Sequence, residues 1–467
     1  MLMQLHVSKI NIQWVNIGSG IWYVDFNINY PEVDASLLSG FTVQTFGEIG
    51  SIFVDSILLI KKDSLLELTN SPNTYYYTSN RVYVCLSFYD NPILHDVFLN
   101  ILFGYSFNDI KPINSETIYE GRLSQVPDIT ISRDPLYFGK IQYNGVTLSL
   151  HNEDGNFNNF LETSGIFGGG NLYGNIVRIL FGYDDINIDD YICVFSGKVE
   201  KTSLSEEQFI INGEDSRKFL TKSAIYKCTN KNALEAIQEL LLNNYAINYD
   251  SIFYNTTAWE VAKALVNNIT IDMEESEEES PVIDIIENIC STVFGLFILE
   301  TDNKVSFKIV DTTATASTTI LDSDILSNHY ISFDPTEVIS SAKVGYNKDW
   351  TLGYDSPYTF VYNTNYESTV FQTYKIYNQK TFFTLLTNST DATAFGETIL
   401  QYAKDIHGIG EVLVPMSYYT LTLGDIVNIE IKKLDGEDML GTKKCEIISK
   451  SYKLNENGFI NFGYRIV

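Results

Sequence analysis

Between residues 115 and 217 the chain breaks into short runs whose patterning leaves little choice of secondary structure. IYEGRLSQV, ITIS, VTLSL, NIVRILFGY, YICVFSGKVEKTSL and EQFIINGED follow one another, separated by short polar or Gly-rich joints. Several short strands punctuated this way predict an antiparallel barrel or sandwich. In VTLSL, Val146, Leu148 and Leu150 alternate with Thr147 and Ser149, the period of a half-buried strand. That strand runs directly into HNEDGNFNNFL, whose polar cluster could be a metal loop, a carboxylate site or a turn. An EF-hand loop needs oxygen ligands at its first, third and fifth positions before a glycine at the sixth. With Gly155 sixth, Leu150 takes the first position and offers no ligand. The expected reading is a turn built on Asp154 and Gly155, because glycine permits positive φ.

At 467 residues the chain exceeds what one hydrophobic core supports, so several modules are expected. Residues 1 to about 108 read as β-rich through IWYVDFNINY, SIFVDSILLI and RVYVCLSFYD, with a short helix expected within DNPILHDVFLNILFGYS. From 218 to about 330 the pattern turns helical. ALEAIQELLLNN places Leu234, Ile237, Leu240 and Leu241 at helical spacing. TTAWEVAKALVNN carries Thr257 and Glu260 in capping-box positions. SPVIDIIENICSTVFG offers Ser280 as N-cap, Pro281 at the first helical position and Gly295 to close the C-terminus. FILETDNKVSFKIV then reads as a hairpin turning at Asp302 and Asn303. Strands return from about 331 to the end in EVISSAKVGYN, YTFVYNTNY, EVLVPMSYYTL, DIVNIEIKKL, KKCEIISKSYKL and FINFGYRI. One helix interrupts them at roughly 390–406, with Gly408 just beyond.

Patterns that would carry chemistry are weak. IFGGGNLYGN, with Gly168, Gly169, Gly170 and Gly174, lacks the Gly-Lys-Ser/Thr ending of a phosphate loop and precedes a strand, so a tightly turned connection is expected. His6, His95, His151, His329 and His407 are dispersed, with neither HExxH nor zinc spacing. Cys85, Cys193, Cys228, Cys290 and Cys445 form no CxxC pair and read as buried free thiols of a reducing compartment. There is no GxSxG elbow. The acidic run DMEESEEES, Asp272 to Ser280, reads as a solvated loop before a helix, with a non-stick surface or cation site as the alternative. No catalytic, cofactor-binding or metal-ligating residue is therefore assigned, and no enzymatic activity or cofactor is expected. The formal net charge of −28 opposes binding to a phosphate backbone. MLMQLHVSKI lacks a basic region followed by an apolar run, so no signal peptide is expected, and no stretch reaches the ~20 apolar residues of a membrane span.

The order of the motifs is recognisable. IYEGRLSQVPDITIS, GVTLSLHNEDGNFNNFLE, FGGGNLYGNIVRILFGY, YICVFSGKVEKTSL and FIINGEDSRKFL resemble, in that order, the first tube domain of phage tail hub proteins, which is similar to the baseplate hub of contractile tails. The matching positions are Asn152 to Phe157 (Asn-x-Asp-Gly-x-Phe), the Gly-bearing loop, Arg178 to Gly182, Phe195 to Gly197 and an Asp before a Leu-containing helix. SPVIDIIENICSTVFGLFILETDNKVSFKIV resembles that family's helix-plus-hairpin insertion, and YTLTLGDIVNIEI the Leu-x-x-Gly-Asp-x-Val strand of its last domain. The resemblance spans about 115 to 467 and leaves the first hundred residues without a counterpart.

The resemblance implies a mainly β protein with an α+β insertion. Two tube-like antiparallel β-barrel domains (115–217 and 331–467) would flank a helical and hairpin insertion (218–330), with an N-terminal β-rich domain (1–108) of unassigned role. It implies a structural virion protein: a homotrimeric ring continuing the tail tube, with tube or other tail proteins on one face and a spike, needle or fibre on the other. Assembly would take place in the host cytoplasm, and DNA would pass an acidic channel in transit without specific binding. Two other expectations compete with this. One is a host-surface carbohydrate- or receptor-binding tail protein, suggested by the aromatic N-terminal strands. The other is a hub whose N-terminal module degrades peptidoglycan.

Overall fold

A computed structural model of the chain describes residues 1–9, 15–18, 21–25, 48–54, 57–58, 60–61, 74–78, 81–85, 97–113, 119–125, 127, 129–133, 139–142, 145–155, 157–158, 172–182, 186–274, 279–300, 304–327, 330–350, 357–432, 438–454 and 458–467. Side chains are described for Met1, Met3 and, from residue 104 on, all of these except Glu274 and Asp438. The fold is mainly β, and the chain divides into two compact units, Met1–Pro127 with Gly145–Glu214 and Asp128–Asn144 with Asp215–Val467.

The strands of the first unit are β1 (Leu2–Lys9), β2 (Val15–Gly18), β3 (Ile21–Asp25), β4 (Glu48–Val54), β5 (Ile57–Leu58), β6 (Ile60–Lys61), β7 (Thr74–Thr78), β8 (Arg81–Cys85), β9 (Val97–Ser106) and β10 (Glu120–Gly121). After β11 (Ile129–Ser132), which lies in the second unit, come β12 (Gly145–His151), β13 (Ile176–Phe181), β14 (Ile192–Leu204) and β15 (Gln208–Asp215). A nine-stranded sheet runs β12-β15-β14-β13-β1-β9-β4-β5, with β10 added on β9, and a five-stranded sheet runs β2-β3-β8-β7-β6. β1 sits between β13 and β9, antiparallel to both, so Met3 lies opposite Ile179 on one side and Tyr105 on the other. All three are buried. The N-terminal strands thus share a sheet with those of the 115–217 stretch. The helix expected within DNPILHDVFLNILFGYS is corrected over residues 97–106, which form β9 and pair with both β1 and β4; residues 86–96 lie outside the described part. Pairing on both edges overrides local helical spacing.

In the second unit the helices are α1 (Ala233–Tyr245), α2 (Thr256–Leu265), α3 (Val282–Thr292), α4 (Glu367–Tyr374) and α5 (Ser389–Ala403). Its strands are β11, β16 (Ser223–Ala224), β17 (Lys227–Asn232), β18 (Thr270–Glu274), β19 (Ser280–Pro281), β20 (Gly295–Leu299), β21 (Val305–Ile309), β22 (Thr319–Ile320) and β23 (Tyr330–Phe333). These continue with β24 (Ser341–Tyr346), β25 (Thr359–Asn363), β26 (Gln379–Phe383), β27 (Gly408–Pro415), β28 (Ile426–Lys432), β29 (Asp438–Lys453) and β30 (Phe459–Ile466). A seven-stranded sheet runs β22-β28-β29-β30-β27-β23, with β11 added on β29. Neither large sheet closes on itself among the described residues. One core packs α1, α2 and α3 around the fully buried Trp259, with Ile237, Leu241 and Ile286. Each such aliphatic side chain contributes about 1.5–3 kcal/mol by leaving water. A second core sets Ala392, Phe395 and Ile399 of α5 against Ala342 and Val344 of β24.

The helices form where the spacing placed them, but their ends are made differently. α2 is capped by Asn255, whose Oδ1 accepts from Ala258 N at 3.1 Å, rather than by Thr257. α3 has no side-chain cap: Ser280 and Pro281 pair as a short strand with β16, and the N–H groups of Val282 and Ile283 donate to the carbonyls of Lys222 (3.1 Å) and Leu220 (3.0 Å). Helix-end donors need an acceptor of some kind, and neighbouring backbone serves as well as serine. The left-handed residue after α3 is Phe294 (φ 56°), not Gly295. Gly295 is required for another reason, because a Cβ there would lie 2.2 Å from the buried Phe307 ring. β25 forms within the tyrosine-rich stretch YTFVYNTNY expected to be strand and α4 follows directly after it, and the expected hairpin is β20–β21, its turn at Asp302 and Asn303 lying outside the described residues. Gly295→Ala is therefore expected to destabilise the chain by about 1–3 kcal/mol through overpacking, read as a lower midpoint in urea unfolding.

Candidate functional site

The turn after β12 is built around one buried amide. Asn152 is fully buried, and its Oδ1 accepts the backbone N–H of Phe157 at 2.9 Å. Its Nδ2 donates to Ser205 O at 3.0 Å and to Asn158 Oδ1 at 3.1 Å. Gly155 takes φ 69°, and its N–H donates to Asn152 O at 2.9 Å. The turn delivers Phe157 into the core, stacked on Phe209 at 4.9 Å and edge-on to Tyr105 at 5.6 Å. Asp154 points outward and binds Arg122 bidentately, Nη1–Oδ1 at 3.0 Å and Nη2–Oδ2 at 2.6 Å. Arg122 also reaches Glu120 Oε2 at 2.7 Å. Burial alone would lower the Arg122 pKa, but the Asp154 and Glu120 carboxylates raise it above its ordinary value. The carboxylate of the motif is thus occupied by a guanidinium, and its amide by backbone. This is the geometry of a turn.

A buried polar network lies in the second unit. Arg133, at the end of β11, forms an ion pair with Glu446 of β29, both side chains fully buried. Tyr402 donates its hydroxyl to Glu446 Oε2 at 2.8 Å and accepts from Arg133 Nη2 at 3.0 Å. Arg465 of β30 lies opposite Glu446, donates to Tyr402 O at 3.0 Å and covers the Tyr402 ring at 3.8 Å. Burial opposes the Arg133 charge, but Glu446 and Tyr402 more than offset it and raise its pKa. Nearby, burial pushes Lys450 down to about 8, and its ammonium donates to Tyr419 O and Leu421 O at 2.5 and 2.9 Å. In the Leu-x-x-Gly-Asp-x-Val segment, Gly424 takes φ 73° and Asp425 binds Lys308 and the N–H of Thr422. These groups hold turns and strands.

The remaining candidates are scattered. His151 ends β12 exposed, and His407 donates Nδ1–H to Ile466 O at 2.6 Å. The side chains of His6, His95 and His329, and that of Cys85, lie outside the described part. Cys228, Cys290 and Cys445 are buried free thiols, Cys193 is half-buried, and burial pushes the Cys445 thiol up to about 12. Asp272 to Glu274 of the acidic run belong to β18, where Asp272 accepts the N–H of Asn230; residues 275–278 are outside the described part. Of the Gly-rich loop, Gly174 is described, at φ 81°. No group of three or more His, Cys, Asp or Glu among the described residues could hold a metal ion. No helix among them is long and apolar enough to cross a membrane.

What the surface of the second unit offers instead is apolar edge. Among the described residues β23 ends its sheet, and it exposes Tyr330 (78%) and Phe333 (56%). The three-stranded sheet β25-β24-β26 exposes Tyr362 and Phe383 from its two outer strands. Unpaired edges carrying exposed aromatics are what strand-to-strand association uses. Composition shows the aromatics; only the sheet order reveals that they fall on edges.

No protein-family model matches the chain, and no curated protein does. Among solved structures it is similar to the tail protein from Neisseria meningitidis MC58, with a TM-score of 0.45 at 12% identity over 74% of this chain and 95% of that one. It is likewise similar to the 43 kDa tail protein of prophage MuSo2 from Shewanella oneidensis (TM-score 0.44, 13% identity, 75% and 96% covered). A third is a prophage tail protein from Listeria monocytogenes EGD-e (TM-score 0.41, 10% identity, 75% and 91% covered). All three similarities have TM-scores below 0.5.

Two measurements probe these sites. Asn152→Ala leaves the Phe157 N–H buried without an acceptor and should cost about 1–3 kcal/mol, whereas Asp154→Ala at the half-exposed Arg122 pair should cost under about 1 kcal/mol; paired urea titrations distinguish them. Burial, and then the Arg465 charge, hold the His407 pKa below its usual 6.5. The unfolded chain therefore takes up the proton first, so stability is complete above about 6.5 and falls as pH drops below it. The unfolding midpoint should fall between about pH 7 and about pH 5, and His407→Asn should make that fall shallower.

Proposed function

We propose that the chain is a structural tail hub of a phage or phage-like particle. Three copies would form a ring that continues the tail tube and joins it to a distal spike, needle or receptor-binding apparatus. The observation that carries this reading is collinearity. Among the described residues, the motifs that follow the order found in tail hub proteins fall on strands, turns and caps of the two large sheets and the helical stretch between them, with Phe195–Gly197 inside β14 and Arg178 inside β13. Asn152–Phe157 is a core-anchored turn. Asp215 caps the short helix at Ser216–Phe219 and binds Arg217. Gly424–Asp425 is the turn leading into β28. Here the nine-stranded and seven-stranded sheets serve as the two tube-like domains, the latter built mainly from 331–467 with β11 and β22 added from earlier in the chain, and the rest of residues 218–330 is the insertion. The N-terminal strands extend the first sheet.

The charge and the edges fit such a part. A net charge of −28 suits a channel that DNA must pass without sticking, since each stable Lys or Arg contact to phosphate would retard it. Exposed edge strands, hazardous on a monomer, become interfaces in a closed ring. No step of this role needs a catalytic residue. Light scattering after gel filtration should give a mass near three times the 53.0 kDa chain, and negative-stain averages should show three-fold rings with a central hole. A monodisperse monomer that also fails to copurify with tail particles overturns the proposal.

A further inference from the structure

A groove of about 720 Å³ opens in the second unit between the end of α2, the turn after α3 and one face of α5. Its floor is aromatic: Phe294 and Phe395 stack at 4.7 Å with ring planes 16° apart. Phe294 occupies the left-handed region at φ 56°, a conformation that bulky residues rarely take. Gly295 could adopt it freely, but Gly295 lies against the Phe307 ring, where a side chain would collide. The backbone is held by Val310 N, which donates to Phe294 O at 2.9 Å, and the result is an aromatic face presented to the groove. Leu265, 58% exposed, adds an apolar wall.

The lining has one sign of charge. Asp311, Asp391 and Glu397 stand along it, and among the described residues no lysine, arginine or histidine does. The residues contributed by α5 run from Asp391 to Tyr402 at helical spacing, with the small Ala394 and Thr398 between them leaving room above the helix. That row is about 16 Å long at 1.5 Å per residue, which an extended segment of about five residues would match.

We propose that this groove docks an extended segment of a partner protein in which an apolar side chain is flanked by lysine or arginine. The apolar side chain would rest on the Phe294–Phe395 floor, and the cations would face Asp391, Glu397 and Asp311. Anionic partners are repelled by the same rim, and purely polar segments leave the floor uncovered. The inference goes beyond the tail reading and does not depend on it, since a chain that proved monomeric would still present the groove.

The test uses the full-length chain and a fluorescein-labelled Lys-Phe-Lys-Leu-Lys peptide, followed by anisotropy. Two comparison peptides replace all lysines by glutamate or both apolar residues by serine. Ala394→Trp fills the groove, Glu397→Lys reverses its exposed rim, and Glu206→Lys makes the same charge change in the other unit. The expected result is a loss of about tenfold or more in affinity for Ala394→Trp, for Glu397→Lys and for both comparison peptides, with Glu206→Lys within about twofold of the parent. Thermal melts confirm that the variants fold; Glu397 is exposed, so its variant keeps the test valid even if Ala394→Trp does not fold. Equal losses for Glu397→Lys and Glu206→Lys would reveal mere attraction to an acidic surface and overturn the proposal. So would unchanged binding in a folded Ala394→Trp, or no binding by the parent.

Discussion

The second unit depends on one buried ion pair. Arg133 arrives from a short visit that the chain makes to this unit at residues 128–144, and Glu446 arrives from a strand near the C-terminus. Removing either partner alone would leave a full charge without water, a penalty of about 3–5 kcal/mol. The pair therefore permits one seating of β11 on β29. Tyr402 and Arg465 complete the arrangement by filling the hydrogen-bonding positions the carboxylate and the helix end leave open. Around it the same solution recurs. Lys450 closes on two carbonyls, and Lys308 on Asp425, so cations that burial would otherwise neutralise hold turns in place.

Much of the strand content was legible because alternation survives wherever one sheet face is buried. In β12, Val146, Leu148 and Leu150 are buried and Gly145, Thr147 and His151 exposed, the alternation of VTLSL interrupted only at Ser149, which is small enough to be covered. The helices were equally legible, since Leu234, Ile237, Leu240 and Leu241 lie on one buried face of α1. Helix ends were not. Local sequence suggested Ser280, Thr257 and Gly295, whereas the N-terminal acceptors came from Leu220 and Lys222 and from Asn255, and the left-handed residue after α3 is a phenylalanine. Caps supplied by distant backbone leave no mark near the helix they cap.

The turn at Asn152 shows why a polar cluster was ambiguous in sequence and plain in structure. Asn, Glu, Asp and Gly in a row supply the oxygens of a metal loop and the donors of a tight turn equally well. What decides is where the groups point: Asn152 inward to backbone, Asp154 outward to Arg122. Arg122 lies 32 positions from Asp154, so no window around the motif contains the cation that occupies it. The edge aromatics are hidden for a related reason. Tyr330, Phe333, Tyr362 and Phe383 read as ordinary strand residues until the sheet order places them on the outermost strands.

The interleaving of the two units also bears on how the chain can be made. Thr130 bonds Ser451 across a separation of 321 residues, so β11 emerges from the ribosome long before the strand it pairs with exists. Native pairing of that segment must wait for some 321 further residues, and contacts so distant in sequence form slowly. At ~5–20 residues per second of synthesis, that wait is on the order of tens of seconds, during which the edge must be shielded by other means. Completion of β29 thus acts as a built-in checkpoint: chains that stop short of it lack the strand on which β11 is seated.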